Sequence, residues 1–309
     1  MKTVFTQTII AVVWDFDKTL IPGYMQRPLF EKYGVDEQKF WGEVNQLEAY
    51  YRENGCEQVS GEMAYLNHIL DYARKEYFKG LNNQLLSELG KELEFYPGLP
   101  DFFNELKQSI SENERFSHHE ISLEHYVVST GFTRTIRGSA IAEYLDGVWG
   151  CEFIESQNSD NPIIDQITYV LDNTTKTRAV FEINKGVNKH PDEINVNATI
   201  KKEDRRIPFQ NIIYIADGPS DVPVFSVVKI NGGRTYGVYN PGHEKEFQQV
   251  KRLQKDGRID GMGPADYSKN SSTWMWLRDE VTEIAERIVR DREQALGDKV
   301  GKAPRHIND

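Results

Sequence analysis

Ile9-Ile10-Ala11-Val12-Val13-Trp14-Asp15-Phe16-Asp17-Lys18-Thr19-Leu20 is the stretch of this 309-residue chain whose reading decides the fold. Its first six residues are apolar without a break and rich in β-branched side chains. That is the composition of a strand buried on both faces of a parallel sheet. The strand then runs straight into two carboxylates. Alternation along an extended chain turns Asp15 and Asp17 to one side and Phe16 to the other. Ile21-Pro22-Gly23 ends the regular structure. Two further stretches repeat the pattern. Residues 125–131 read as a second buried strand with Ser129 and Thr130 near its end, and residues 211–216 as a third, followed by Asp217-Gly218-Pro219-Ser220-Asp221. In open α/β sheets ligands bind beyond the carboxyl ends of the strands, so three parallel neighbours gather these polar groups at one spot.

Between the first two strands, residues 27–95 carry apolar side chains at mixed three- and four-residue spacing, with no convincing strand. A purely helical block between β-containing regions reads as an insertion. The expected division is a core of residues 1–22 and 97–309 and a helical cap of residues 23–96. Helices are predicted over 99–110, 133–145, 174–184 and 274–288, and short strands over 148–154, 166–171 and 235–238. Residues 185–208 read as polar and irregular, 236–263 as including a long loop, and the charged tail from Arg290 as frayed. Alternating strands and helices predict a three-layer α/β/α, Rossmann-like core with a mostly parallel sheet.

Composition narrows the partners. Hydrophobic residues at 39% and aromatics at 11% suffice for a packed core and exclude wholesale disorder. Lys and Arg number 37 against 48 Asp and Glu, a net charge of −11. Such a field repels phosphate backbones, which argues against nucleic acid or an anionic membrane as partner. A small phosphorylated metabolite held by a local positive site remains compatible. Cys56 and Cys151 make no disulfide framework and no metal-ligand spacing. No apolar run approaches the roughly 20 residues that span a bilayer, and the N-terminus lacks a signal pattern. A soluble protein of the reducing cytoplasm is expected.

Several carboxylates brought together repel unless a cation lies between them, and a hard, all-oxygen set suits Mg²⁺. Asp15 and Asp217 are the natural side-chain ligands, with a backbone carbonyl near Asp17 and waters completing an octahedron. Lys176, at a helix start, and the Ser129 hydroxyl offer an oxygen-rich anion a positive charge and a hydrogen bond. Backbone N–H groups of the Asp17-Lys18-Thr19 turn add donors. Strand phase favours Ser129 over Thr130, and the helix start favours Lys176 over Lys185. A carboxylate nucleophile, a second carboxylate for proton transfer, Mg²⁺ and a lysine are a complete set for phosphoryl transfer.

Asp15-Phe16-Asp17-Lys18-Thr19, Ser129, Lys176 and Asp217-Gly218-Pro219-Ser220-Asp221 stand in the order of the four motifs of the haloacid dehalogenase superfamily. The resemblance spans residues 9–239 and is closest to the phosphoserine-phosphatase-type branch, whose helical cap lies between the first two motifs. It implies Asp15 as a nucleophile that becomes an aspartyl-phosphate, and Asp17 as acid and then base. It also implies Ser129 and Lys176 on the phosphoryl oxygens, with Thr130, Lys18 and Thr19 around the phosphate. Mg²⁺ would be held at Asp15, Asp17 and Asp217, aided by Asp221. The implied activity is Mg²⁺-dependent hydrolysis of a small phosphomonoester. A phosphotransferase or phosphomutase on the same fold, and a catalytically silent phosphate-binding protein, are the alternatives. Asp17-Lys18-Thr19 also resembles the phosphorylation motif of P-type ATPases, with Asp17 as nucleophile, but Leu20-Ile21 replaces its Gly-Thr and membrane helices are lacking. Trp14, Tyr24, Trp41, Tyr50 and Tyr51 are read as core or pocket lining. His118, His119 and His125 read as loop and strand-start residues. Lys201, Lys202, Arg205 and Arg206 read as a solvated face, and Arg134 and Arg137 as exposed pairs or phosphate contacts.

Overall fold

In the computed structural model, which describes residues 6–157 and 162–300 (296–300 by backbone alone), Ile9–Trp14 is the central strand, β1, of a seven-stranded sheet. Helices α1 (Arg27–Tyr33), α2 (Glu37–Glu53), α3 (Gly61–Arg74), α4 (Asn83–Gly90), α5 (Asp101–Ser111) and α6 (Glu114–His118) precede β2 (Ser122–Phe132). Then come α7 (Thr133–Gly138), β3 (Gly147–Glu155), β4 (Ile164–Tyr169), α8 (Thr175–Lys185), β5 (Ile212–Ala216) and α9 (Val222–Ile230). β6 (Arg234–Tyr239), α10 (Glu244–Lys255), β7 (Gly261–Pro264) and α11 (Ser272–Val300) complete the chain. The strand order is β4-β3-β2-β1-β5-β6-β7, parallel throughout except for the antiparallel β3–β4 pair. Helices cover both faces, the three-layer arrangement that the strand and helix alternation predicts.

β1 is fully buried from Ile10 onward, which is why its apolar run has no polar side. Its neighbours are β2, which carries Ser129, and β5, which leads into Asp217. Trp14 pairs with Val127 on one side and Ile215 on the other. Ser129 and Asp217 each stand two residues beyond those partners, level with the loop that follows β1. Trp14 itself lies behind the site, where its Nε1 donates to His125 Nδ1 at 3.2 Å. His125 Nε2 donates to Phe103 O at 3.0 Å, and burial holds the ring neutral by pushing its pKa down to about 3.

No strand interrupts α1–α4. Asp36, Ser60 and Asn82 cap α2, α3 and α4 by accepting the N–H groups of Lys39, Met63 and Leu85. Their inner faces meet in an aromatic cluster in which Phe40 lies 4.8 Å from Phe30 and 5.1 Å from Tyr72. The chain enters and leaves this block side by side, because Tyr96 N donates to Leu20 O at 3.0 Å. α4 crosses α7 with backbone against backbone. A Cβ on Gly138 would lie 1.8 Å from Ser87 O, and one on Gly90 2.1 Å from Thr135 O.

Four expectations need correction. The helix over 133–145 stops at Gly138, where contact with α4 leaves no room and Ser139 Oγ bonds back to Ile136 O; a short 3₁₀ turn, Ala142–Tyr144, follows. The long loop after β6 contains α10 and β7. β7 reads Gly-Met-Gly-Pro, without a β-branched residue, and α10 shows only Phe247, Val250 and Leu253 as its apolar face. α11 continues to Val300 instead of fraying at Arg290, held by the Arg287–Asp291 and Glu286–Arg290 pairs and by Arg292, which donates to His119 O. Arg206 is no solvated residue. It is 8% exposed and donates twice to Glu124 at 2.6 Å, fastening the irregular excursion of residues 186–208 to β2. No helix among the described residues is long and apolar enough to cross a membrane.

The α4–α7 crossing reverses an ordinary rule. Glycine to alanine in a helix normally gains up to about 1 kcal/mol. Gly138→Ala is expected to lose stability instead, by about 1–3 kcal/mol of overpacking, because its methyl meets a carbonyl that cannot rotate away. A lower urea midpoint for Gly138→Ala, with Gly42→Ala on the open side of α2 as comparison, checks this.

Candidate active site

Asp15 is the first residue past β1, and its N–H still donates to Ile215 O at 2.9 Å, so the sheet itself fixes where the carboxylate begins. Lys176 reaches it from the start of α8. That helix begins where it does because Asp172 Oδ1 accepts the N–H groups of Thr174 and Thr175 at 2.8 and 2.6 Å. Lys176 is 1% exposed, and its Nζ donates to Asp15 Oδ1 at 2.8 Å and to Asp221 Oδ1 at 2.7 Å. Asp221, fully buried at the start of α9, also accepts the Tyr214 hydroxyl on Oδ1 and Ser220 Oγ on Oδ2. One carboxylate oxygen each from Asp15, Asp217 and Asp221 lies within 4.8 Å of the others. Among the described residues Asp217 has no hydrogen bond or ion pair.

The loop after Asp15 is tightly wound. Lys18 adopts a left-handed φ of +57°, its N–H donates to Gly23 O, and the N–H groups of Thr19 and Leu20 both donate to Phe16 O. In this structure the Lys18 and Thr19 amides are therefore committed within the loop. Asp17 lies outside the three-carboxylate group, its Oδ1 accepting Met25 N–H at 2.9 Å. Thr19 Oγ1 stands 3.4 Å from Asp15 Oδ2, and the Lys18 ammonium lies 4.6 Å above the Tyr24 ring. Ser129 is buried, with Oγ accepting Gly131 N–H, whereas Thr130 is half-buried and its carbonyl takes the Cys151 thiol. Lys185 is turned away, donating to Val196 O and Ala198 O.

Other residues singled out from the sequence stand apart. Tyr50 and Tyr51 pack on each other at the surface of α2, and Arg134 and Arg137 are exposed. His119 lies 3.7 Å from Glu293. Tyr214 is the residue that pattern reasoning missed. Its only signal was one phenol inside the otherwise aliphatic Ile212-Ile213-Tyr214-Ile215-Ala216.

Burial dominates the electrostatics. It pushes the Asp15 carboxyl up to about 6, with Lys176 pulling down and Asp221 pushing up. It pushes Asp17 up to about 8, reinforced by the Asp15 charge, while the Met25 N–H opposes. Asp217 rises well above the carboxylate range through burial and then Asp15 and Asp221. Lys176 is disfavoured as a cation by burial, yet Asp15 and Asp221 hold it more firmly protonated than an ordinary lysine. Three carboxylates against one ammonium leave two negative charges, the charge that one divalent cation offsets. All donors are oxygens, Asp217 is free to bind, and the set fits a hard metal ion.

This repulsion has a measurable sign. A carboxyl whose pKa is raised by folding favours the native state while protonated and loses that contribution as pH rises through the folded value. Asp217→Asn removes the penalty. In metal-free protein the variant is expected to melt roughly 1–3 °C higher than the parent at pH 8 and to lose that advantage toward pH 4. Melting curves in chelator across that range test it.

No known family model matches the chain. An uncharacterized protein from Borreliella burgdorferi is 38% identical over 289 residues, covering 89% of this chain and 97% of that protein. Among solved structures, a HAD family hydrolase from Salmonella enterica serovar Typhi superposes with a TM-score of 0.50 at 14% identity, over 82% of this chain and 66% of that one. A phosphoserine phosphatase solved as a phospho-aspartyl intermediate analogue gives a TM-score of 0.47 at 15% identity, over 82% and 93%. The chain belongs to one family with the Borreliella burgdorferi protein, and its fold is that of the haloacid dehalogenase-type hydrolases.

Proposed function

We propose that the chain is a Mg²⁺-dependent phosphatase that hydrolyses a small phosphomonoester through an aspartyl-phosphate on Asp15, with residues 23–96 as a cap over the site. The observation that carries this reading is the sealed Asp15–Lys176–Asp221 network beside an unpartnered Asp217 and a proton-retaining Asp17.

Each residue has a task that its surroundings support. Lys176 fixes Asp15 Oδ1 and favours the ionised form against burial. Oδ2, touched only by the long contact to Thr19, is the oxygen left to attack phosphorus. Asp17, whose pKa lies near 8, carries a proton at neutral pH and gives it to the departing alcohol oxygen. The resulting carboxylate then takes a proton from the water that opens the acyl-phosphate. Ser129 Oγ and the Lys176 ammonium serve the phosphoryl oxygens. A bound Mg²⁺ would be held by Asp15, Asp217 and the Asp17 carbonyl, and supplies charge neutralisation on the phosphoryl group. Asp221, with both oxygens already engaged by Lys176, Tyr214 and Ser220, aligns that set. Free Cys56 and Cys151 fit a reducing, cytoplasmic setting.

Two outcomes follow. An aryl ester leaves as a stable anion and scarcely needs the Asp17 proton, whereas breakdown of the phosphoenzyme needs the base. Asp17→Asn should release about one equivalent of p-nitrophenol in a burst and then stall. Intact mass should show the phosphoryl adduct in that variant and none in Asp15→Asn; steady turnover by a folded Asp15→Asn protein would sink the mechanism.

Turnover should disappear on exhaustive chelation and return with Mg²⁺. Ca²⁺ should inhibit, because it takes more ligands at longer distances and displaces the reacting groups. Assays of chelated protein with each ion added back decide this, and undiminished activity after chelation would remove the metal from the reaction.

A further inference from the structure

Where the helical block meets the Asp17 loop, polar atoms are left over. Gln26 is 3% exposed and its Oε1 has no partner among the described residues; Trp41 Nε1 is sealed from solvent and has none among them either. The buried Tyr65 hydroxyl accepts Gln26 Nε2 at 2.8 Å and donates to nothing among the described residues. Buried polar groups in folded proteins are nearly always bonded, to the chain, a ligand or ordered water, so a contiguous set that the chain leaves without partners is a place that a ligand's polar groups can fill. The set is contiguous, since Gln26 bonds Tyr65 and the Tyr65 ring lies 5.5 Å from that of Trp41.

Its position is fixed by the neighbouring Met25. The Met25 N–H donates to Asp17 Oδ1, and its sulfur receives the Phe132 N–H at 3.0 Å. A Cβ on Gly131 would lie 2.2 Å from Met25 Cε, so in this arrangement the Met25 side chain occupies the space that the glycine leaves. Met25 thus ties the segment after Asp17 to the end of β2. Gln26 follows it directly, and the Tyr65 ring stacks on Phe132 at 5.8 Å. Among these groups the Tyr65 hydroxyl lies close enough to Asp17 to feel the charge of its carboxylate, and Gln26 is joined to Asp17 through its neighbour Met25.

We propose that Gln26, Tyr65 and Trp41 form the leaving-group pocket, and that the substrate is the phosphate ester of an uncharged polyhydroxylated alcohol, a sugar or polyol phosphate. The proposal rests on the phosphatase reading above. Its chemistry follows from the unmet bonds. With Gln26 Nε2 donating to the Tyr65 oxygen, the free end of the amide is the acceptor Oε1. Trp41 Nε1 only donates, and the Tyr65 hydroxyl has a proton still to give. Hydroxyl groups both donate and accept, and so satisfy all three. A carboxylate offers nothing to a free carbonyl oxygen, an ammonium nothing to an indole N–H, and neither finds an opposite charge in the three side chains. The rings of Tyr24, Trp41, Tyr65 and Phe132, with successive centroids 5.6, 5.5 and 5.8 Å apart, add an apolar wall that suits the C–H faces of a carbon chain or ring.

The test measures kcat/KM with Mg²⁺-loaded enzyme on glucitol 6-phosphate, glucose 6-phosphate, O-phosphoserine and p-nitrophenyl phosphate. Wild type is compared with Gln26→Leu, Trp41→Phe and Tyr65→Phe, each confirmed folded by circular dichroism. At least one hydroxylated ester should exceed phosphoserine, and each variant should lower its kcat/KM relative to the aryl ester by about tenfold, mainly through KM. Phosphoserine as the equal or better substrate, or an unmoved ratio in all three folded variants, overturns the proposal. Absence of any p-nitrophenyl phosphate turnover by wild type overturns the phosphatase reading itself, and this inference with it.

Discussion

The ammonium of Lys176, bonded at once to Asp15 and Asp221, lets opposite and like charges coexist in a pocket from which water is nearly excluded. Burying carboxylates without compensation shifts them to the neutral form, and a neutral Asp15 is no nucleophile. The surrounding architecture serves this contact. Asp172 starts α8 so that Lys176 emerges at the right height, and β1 carries Asp15 to within reach. β5 supplies Tyr214, whose hydroxyl donates to the same Asp221 oxygen that Lys176 holds. Breaking any one of these leaves a buried charge alone, which costs more than the pair itself contributes.

Two kinds of residue meet in the proposed site and come from different parts of the chain. The groups that handle charge belong to strand ends and helix starts of the sheet, where backbone geometry holds them within narrow limits. The neutral polar and aromatic groups come from α2, α3 and the segment leading into α1. Met25 couples the two sets through both its backbone and its sulfur. At the α4–α7 crossing Gly90 and Gly138 use another device: absence of a side chain lets one backbone sit directly on another.

The central sheet was legible because a carboxylate at the end of an aliphatic strand is a conflict that function alone resolves. Asp15, Asp17, Ser129 and Asp217 announced themselves this way. β1 matched its predicted residues, and the three polar-ended strands are adjacent and parallel as expected. Lys176 was harder, because a lysine at a helix start is ordinarily solvated, and only the fold shows it buried. Tyr214 was invisible, since a phenol in a strand reads as packing. β7 and α10 escaped because neither has the composition of its class, and the end of α7 because its cause is a glycine in contact with another helix. Arg206 misled because charge was weighed without its partner Glu124, 82 positions away.

The central place of β1 has a kinetic price. It is the first strand in the chain, yet its contacts are remote. Trp14 meets His125 across 111 positions, and Asp15 meets Lys176 across 161. Such non-local pairing slows folding, because long loops must close before any contact rewards them. Until β2 and β5 arrive, a fully apolar strand has both edges unpaired, a template for association with other chains. The charged pair Asp15 and Asp17 at its end, and the polar Thr6-Gln7-Thr8 before it, act as gatekeepers that limit how far such pairing can extend. The residues proposed to perform the chemistry of the folded protein thus also protect the chain while it folds.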